Sequence, residues 1–141
     1  MASVIAGLAG GLVATIVMTM LMMVMGDGGP PPTAALVAKF GDGTPDDYAM
    51  PGMLLHVVYG VIAGAVFAVG VPLVGLNLGS ITVGAGLGLV YGIVLMIGGM
   101  VFWMRAVIGM EPDRDMMVMF GTVHVVYGLV LGTFLGAGIL A

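Results

Sequence analysis

The sequence predicts an all-α, four-helix transmembrane bundle built from two tandem helical-hairpin repeats, and three observations carry that prediction. The first is composition: 61% of the 141 residues are hydrophobic and 7% are charged, where soluble domains carry about a quarter charged residues. The second is the placement of charge. It is confined to Asp27–Asp47 and Arg105–Asp115, leaving residues 1–26, 48–104 and 116–141 without any. The third is a five-residue phrase that occurs twice, His56-Val57-Val58-Tyr59-Gly60 and, 68 positions later, His124-Val125-Val126-Tyr127-Gly128.

A helix needs roughly 20 apolar residues to cross the hydrocarbon core. Each uncharged end segment crosses once, and the middle one, at 57 residues, crosses twice. The first span covers about residues 2–25 and stops at Gly26-Asp27-Gly28-Gly29-Pro30-Pro31-Pro32, which cannot continue a helix. It has no basic leader and too long an apolar run for a cleaved signal peptide, so it is expected to stay as a helix. Thr33–Phe40 reads as a short interfacial helix with Thr33 as N-cap and Gly41 just past its end; Leu36, Val37 and Phe40 share one face. The carboxylates of Asp42–Asp47 lack the spacing of a calcium loop and read as a solvated turn. The second span starts near Pro51 and ends near residue 71, before a turn marked by Pro72, Gly75, Asn77, Gly79 and Ser80. The third covers residues 81–104, with Phe102 and Trp103 at headgroup level, and the fourth residues 116–140. A four-span path puts loops 26–50 and 105–115 on one face, and Lys39, Arg105 and Arg114 make that face the cytoplasmic one by the positive-inside rule.

The repeated phrase suggests an internal duplication: repeat A covers residues 2–73 and repeat B residues 81–141, within one membrane domain. The fourth span copies the second at an offset of 68, with Gly64 and Gly132 also matching. The third copies the first more faintly at an offset of 78, aligning Ala6-Gly10-Ala14-Met18-Met22 with Gly84-Gly88-Gly92-Met96-Met100. Two spans per copy give both copies the same orientation, related by a pseudo-two-fold axis along the membrane normal, with His56 and His124 at equal depth. Small residues at every fourth position let helix backbones approach in lipid, where no hydrophobic drive acts between helices. Gly60, Gly64, Gly88, Gly92, Gly128 and Gly132 are therefore read as packing positions, and each histidine is expected on the same helix face as its glycines.

Ionisable groups inside a membrane bundle mark candidate sites, and His56 and His124 are the only histidines. Tyr59 and Tyr127 lie three residues beyond them, near the same face. Two imidazoles at equal depth can ligate one haem b iron. The plain alternative is a neutral histidine hydrogen-bonded across the bundle to a tyrosine or a carbonyl. The chain is also methionine-rich, with 15 in all, mostly at the charged-loop end of their helices. Thioether and imidazole together suit Cu(I), which makes Met18, Met22, Met96 and Met100 candidate copper ligands; the alternative is methionine as pliable filler between glycine-rich helices. With no cysteine, disulfides and thiolate ligands are excluded. The net charge of −4 gives no footprint for nucleic acid. No nucleophile lies near either histidine in sequence, and all carboxylates are in loops, so no enzyme is expected.

The pairs Met18-x-x-x-Met22 and Met96-x-x-x-Met100 resemble elements of the high-affinity copper transporters, a family with three spans and one such pair. Over most of its length the chain looks like small four-span membrane proteins of halophilic archaea, on Gly11-Leu12-Val13-Ala14-Thr15-Ile16-Val17-Met18-Thr19 and the His-x-x-Tyr-Gly phrase. That likeness implies no particular activity. The resulting expectation is a non-catalytic accessory subunit in the lipid bilayer, packed against other membrane protein subunits or its own copies, in an electron-transfer complex. The rivals are a haem b- or copper-binding protein and a small metal-ion transporter.

Overall fold

The computed structural model describes residues 2–26 and 28–140. Four of its helices are long and apolar enough to cross a membrane, and their large apolar side chains are widely exposed, as a lipid-facing surface requires. The chain is an all-α bundle and a multi-pass membrane protein.

Helix α1 (Val4–Met25) starts on Ser3, whose hydroxyl accepts from the Ala6 N–H at 3.0 Å. Helix α2 (Pro32–Phe40) follows the prolines, with Pro31 at the cap position and a proline in its first turn. Thr33 is therefore not the cap. Its hydroxyl instead donates to the Gly52 carbonyl at 2.5 Å and ties α2 to the start of helix α3 (Ala49–Leu73). The contact is backbone-close, since a methyl added at Gly52 would stand 2.5 Å from the Ala34 Cα. The acidic stretch between them is a turn, as expected, but an organised one. Thr44 and Asp47 form a capping box around a single 3-10 turn, Pro45–Tyr48.

Helix α3 begins two residues before Pro51 and runs on to Leu73, with Pro72 inside its last turn. Helix α4 (Ile81–Gly98) is capped by Ser80 and is shorter than predicted. From Gly99 to Ile108 the backbone widens into a π-helix that ends at Gly109, where φ is +81°. Helix α5 (Arg114–Gly136) is capped by Asp113 and stops short of residue 140 in a turn. Ser3 meets the Leu140 carbonyl at 3.2 Å, so the two chain ends meet at the uncharged end of the bundle. At the other end α2 packs on the π-helix, which places both charged loops together.

Two backbone-close seams hold the bundle. Across α1 and α3, a methyl at Gly11 would stand 2.7 Å from the Gly60 oxygen and one at Gly7 would stand 2.8 Å from the Gly64 oxygen. Across α4 and α5, Gly88 meets the Gly128 oxygen and Gly84 the Gly132 oxygen in the same way. These contacts pair Gly7, Gly11 and Thr15 with Gly84, Gly88 and Gly92, an offset of 77 and not the 78 aligned in the sequence. The Ala6-Gly10-Ala14 stripe faces α5 instead, with a methyl at Gly10 reaching Phe134 at 3.0 Å and Leu131 at 3.2 Å. Helices α1 and α5 pack closely, whereas α3 and α4 meet mainly through large side chains such as the Phe67–Tyr91 ring pair, 4.8 Å apart.

Candidate ligand cavity

The gap between α3 and α4 opens into a cavity of about 170 Å³ in the loop-side half of the bundle. Both histidines and both tyrosines of the repeated phrase line it, and Thr33 and Leu36 of α2 reach it from the loop end. Towards the uncharged end the bundle is filled by Phe67, Tyr91, Leu131 and Leu135.

The imidazoles are anchored differently, and the register explains why. At the offset of 77 the residue of α4 matching Thr19 is Met96. His56 finds the Thr19 hydroxyl across the α1–α3 seam, Nε2 to Oγ1 at 3.1 Å. At the matching place α4 carries a thioether and no hydroxyl, and Nδ1 of His124 turns back to the Phe120 carbonyl at 2.7 Å.

These bonds assign the tautomers of the neutral rings. A carbonyl only accepts, so Nδ1 of His124 carries the proton and Nε2 is a bare lone pair. The single hydrogen of Thr19 already goes to the Thr15 carbonyl at 2.7 Å. Nε2 of His56 must therefore donate, which leaves its Nδ1 bare. Among the described residues no side-chain nitrogen or oxygen is both sealed from water-sized space and unpaired. The two lone pairs are thus reachable. Other hydroxyls around the cavity are spent on carbonyls: Thr15 on Gly11 at 2.7 Å, Thr33 on Gly52, and Tyr127 on Gly60 at 2.5 Å. Neither tyrosine bonds a histidine. Tyr127 is buried and crosses the bundle, while Tyr59 stands at the margin, 42% exposed, with its ring edge-on to Trp103 at 6.4 Å.

Met18 and Met22 line the cavity; Met96 and Met100 do not. The Met96 sulfur lies against Gly121, and Met104 and Met119 take up the cavity positions that the sequence reading gave to the other pair. Met96 lies on the α4–α5 seam, before the π-helix begins, and so turns to α5. Within residues 99–108 the wider turn of the π-helix sets which side chains point inward, and Gly99, Trp103 and Met104 face the cavity. Such widened turns recur at functional sites.

The shape limits what fits. Pockets for cofactors and drug-sized ligands run to about 300–1,000 Å³, so haem b does not enter this cavity without rearrangement. A dry cavity of about 150 Å³ takes one benzene ring. The present one is the size of a single six-membered ring, walled mainly by apolar side chains, with two hydrogen-bond acceptors. Among the described residues no cluster of three or more histidine or carboxylate side chains suits a metal.

Thr19, which bonds His56, and Leu36, Trp103, Met104, Met119 and Val123, which line the cavity, were not legible in the sequence as site residues. Only Thr19 carried a signal: it lies one turn beyond Thr15 in a helix otherwise free of hydroxyls after Ser3. No protein-family model, no curated protein and no solved structure matches this chain.

Proposed function

We propose that this membrane protein binds a single-ring apolar guest in the histidine cavity and serves as a non-catalytic subunit beside other membrane helices, in an electron-transfer assembly. One observation carries the reading: a ring-sized cavity inside the bundle offers two lone-pair nitrogens whose ring partners are already fixed. A preformed apolar pocket with a few placed polar groups is the usual form of a small-molecule site. The broad apolar faces of α3 and α4 leave room for neighbouring helices as well as lipid. All three basic residues lie at the loop end, which supports a cytoplasmic placement of that end.

Fluorobenzene is the test probe, followed by 19F NMR on protein purified in mild detergent. The reading expects saturable binding of one probe per chain above micelle partitioning. Val123→Phe, inside the cavity, and Leu36→Phe, on α2, should each abolish it. Absence of any saturable component in the folded wild type would refute the proposal.

The thioethers support a second reading, Cu(I) held by Met18, Met22 and the two bare nitrogens. In both of its outer bonds the site matches the way metal-bound histidines are oriented. Copper that co-purifies and is lost in both Met18→Leu and His124→Phe would favour it over the organic guest.

A further inference from the structure

We infer that the guest is the head group of a membrane quinol, held in its reduced form by hydrogen bonds from its two hydroxyls to Nδ1 of His56 and Nε2 of His124. The inference rests on the single-ring cavity proposed above and adds the guest's chemistry.

Three features of the site select it. The first is polarity: both imidazoles present acceptors, because Thr19 and the Phe120 carbonyl hold their protons on the far side of each ring. Thr15, Thr33 and Tyr127 donate to carbonyls and have no hydrogen left to offer. A guest that brings its own O–H groups is satisfied here. A quinone brings only carbonyl oxygens and meets two lone pairs. The remaining donors, Tyr59 and Trp103, stand together at the margin.

The second feature is size, a volume of about 170 Å³ that admits one ring and no fused macrocycle. The third is the route in. Helices α3 and α4 lack the backbone-close seam that joins α1 to α3 and α4 to α5. The cavity therefore faces lipid on the α3–α4 side, beside the Tyr59–Trp103 ring pair, where an isoprenoid tail can remain among acyl chains. The role assigned is binding alone, with no electron entering or leaving the quinol at this site.

The test compares 2-decylhydroquinone with 2-decylbenzoquinone, anaerobically, as competitors of fluorobenzene on the whole chain in detergent. The hydroquinone should compete at least about tenfold better, which for a two-electron couple raises the bound midpoint potential by about 30 mV. His56→Phe with His124→Phe should lose the preference, the two redox forms then competing alike. Single His→Gln variants, which restore a polar side chain of similar reach, should fall between. Equal affinity for the two redox forms, or tighter binding of the quinone, overturns the quinol assignment while the cavity reading stands. Failure of fluorobenzene itself to bind the wild type overturns both.

Discussion

The α4–α5 seam predicts that one substitution, made twice in the same helix two residues apart, has two different outcomes. At Gly86 an added methyl has nothing within 4 Å. At Gly88 it would stand 2.9 Å from the Gly132 Cα and 3.0 Å from the Gly128 carbonyl carbon, with the Gly128 oxygen nearer still. All three are backbone atoms of α5 and none can rotate away, so the two helices must part. Overpacking of this kind costs about 1–3 kcal/mol. Alanine's higher helix propensity offsets little of that, because a chain unfolded within lipid keeps its spans helical and the gain cancels. Gly86→Ala should therefore be near neutral. Gly88→Ala should lower the folding constant by a factor of about 5–150.

The measurement is reversible unfolding in mixed micelles as the fraction of sodium dodecyl sulfate rises. Trp103, the only tryptophan, packs edge-on against Tyr59 and Phe102 and reports the bundle by its fluorescence. Equal midpoints for the two variants would refute the claim that α4 and α5 touch through their backbones. Gly128→Ala, which approaches the same contact from the other side, should behave as Gly88→Ala does.

Three further outcomes can be checked on the same preparation. Tyr127→Phe removes a buried phenol bond to the Gly60 carbonyl and should cost about 0.6–1.7 kcal/mol in the same unfolding series. Gly52→Val places a side chain against the Ala34 backbone; it should cost about 1–3 kcal/mol and unseat α2, seen as faster maleimide labelling of a Leu36→Cys reporter. Thr19→Val removes the acceptor that fixes His56, so 15N NMR of the ring should show the Nε2–H tautomer lost in Thr19→Val and kept in Thr19→Ser, with His124 unchanged in both.

The architecture was legible because charge placement in a membrane protein is close to a map of its loops. Asp27–Asp47 and Arg105–Asp115 mark two of the three breaks, and the uncharged turn at Pro72, Gly75 and Gly79 marks the third. The register was harder to read for a local reason. Helix α1 carries small residues at adjacent positions, Ala6-Gly7, Gly10-Gly11 and Ala14-Thr15, so it has two small stripes side by side. Spacing shows that a close approach occurs, but it does not say which stripe meets which partner. The π-helix was hidden because Gly98-Gly99 reads equally well as two more packing glycines, and only the Phe120 ring lying where a Gly99 methyl would go makes the second one necessary. The cavity had no linear signature, since its walls come from six helical segments.

The two small stripes of α1 also account for the cavity itself. At the offset of 77, Gly10, Ala14 and Met18 of α1 match Leu87, Tyr91 and Leu95 of α4. On α1 the second stripe is small, and α5 closes onto it until Leu131 and Phe134 touch Gly10. On α4 the matching stripe is bulky, so α3 is held away and Tyr91 spans the distance to the Ala63 carbonyl at 2.8 Å. Both hairpins keep the same glycine seam, and they differ in the face each turns to the other. That difference closes the α1–α5 side of the bundle and opens the α3–α4 side. It also separates the fates of the two tyrosines, with Tyr127 driven into the closed side and Tyr59 left at the mouth of the open one. A uniformly small pair of outer stripes would bring α3 onto α4 and leave no room for a guest beside the imidazoles. The lone-pair nitrogens are reachable because the two hairpins, alike at their seams, are unlike in the faces they turn to each other.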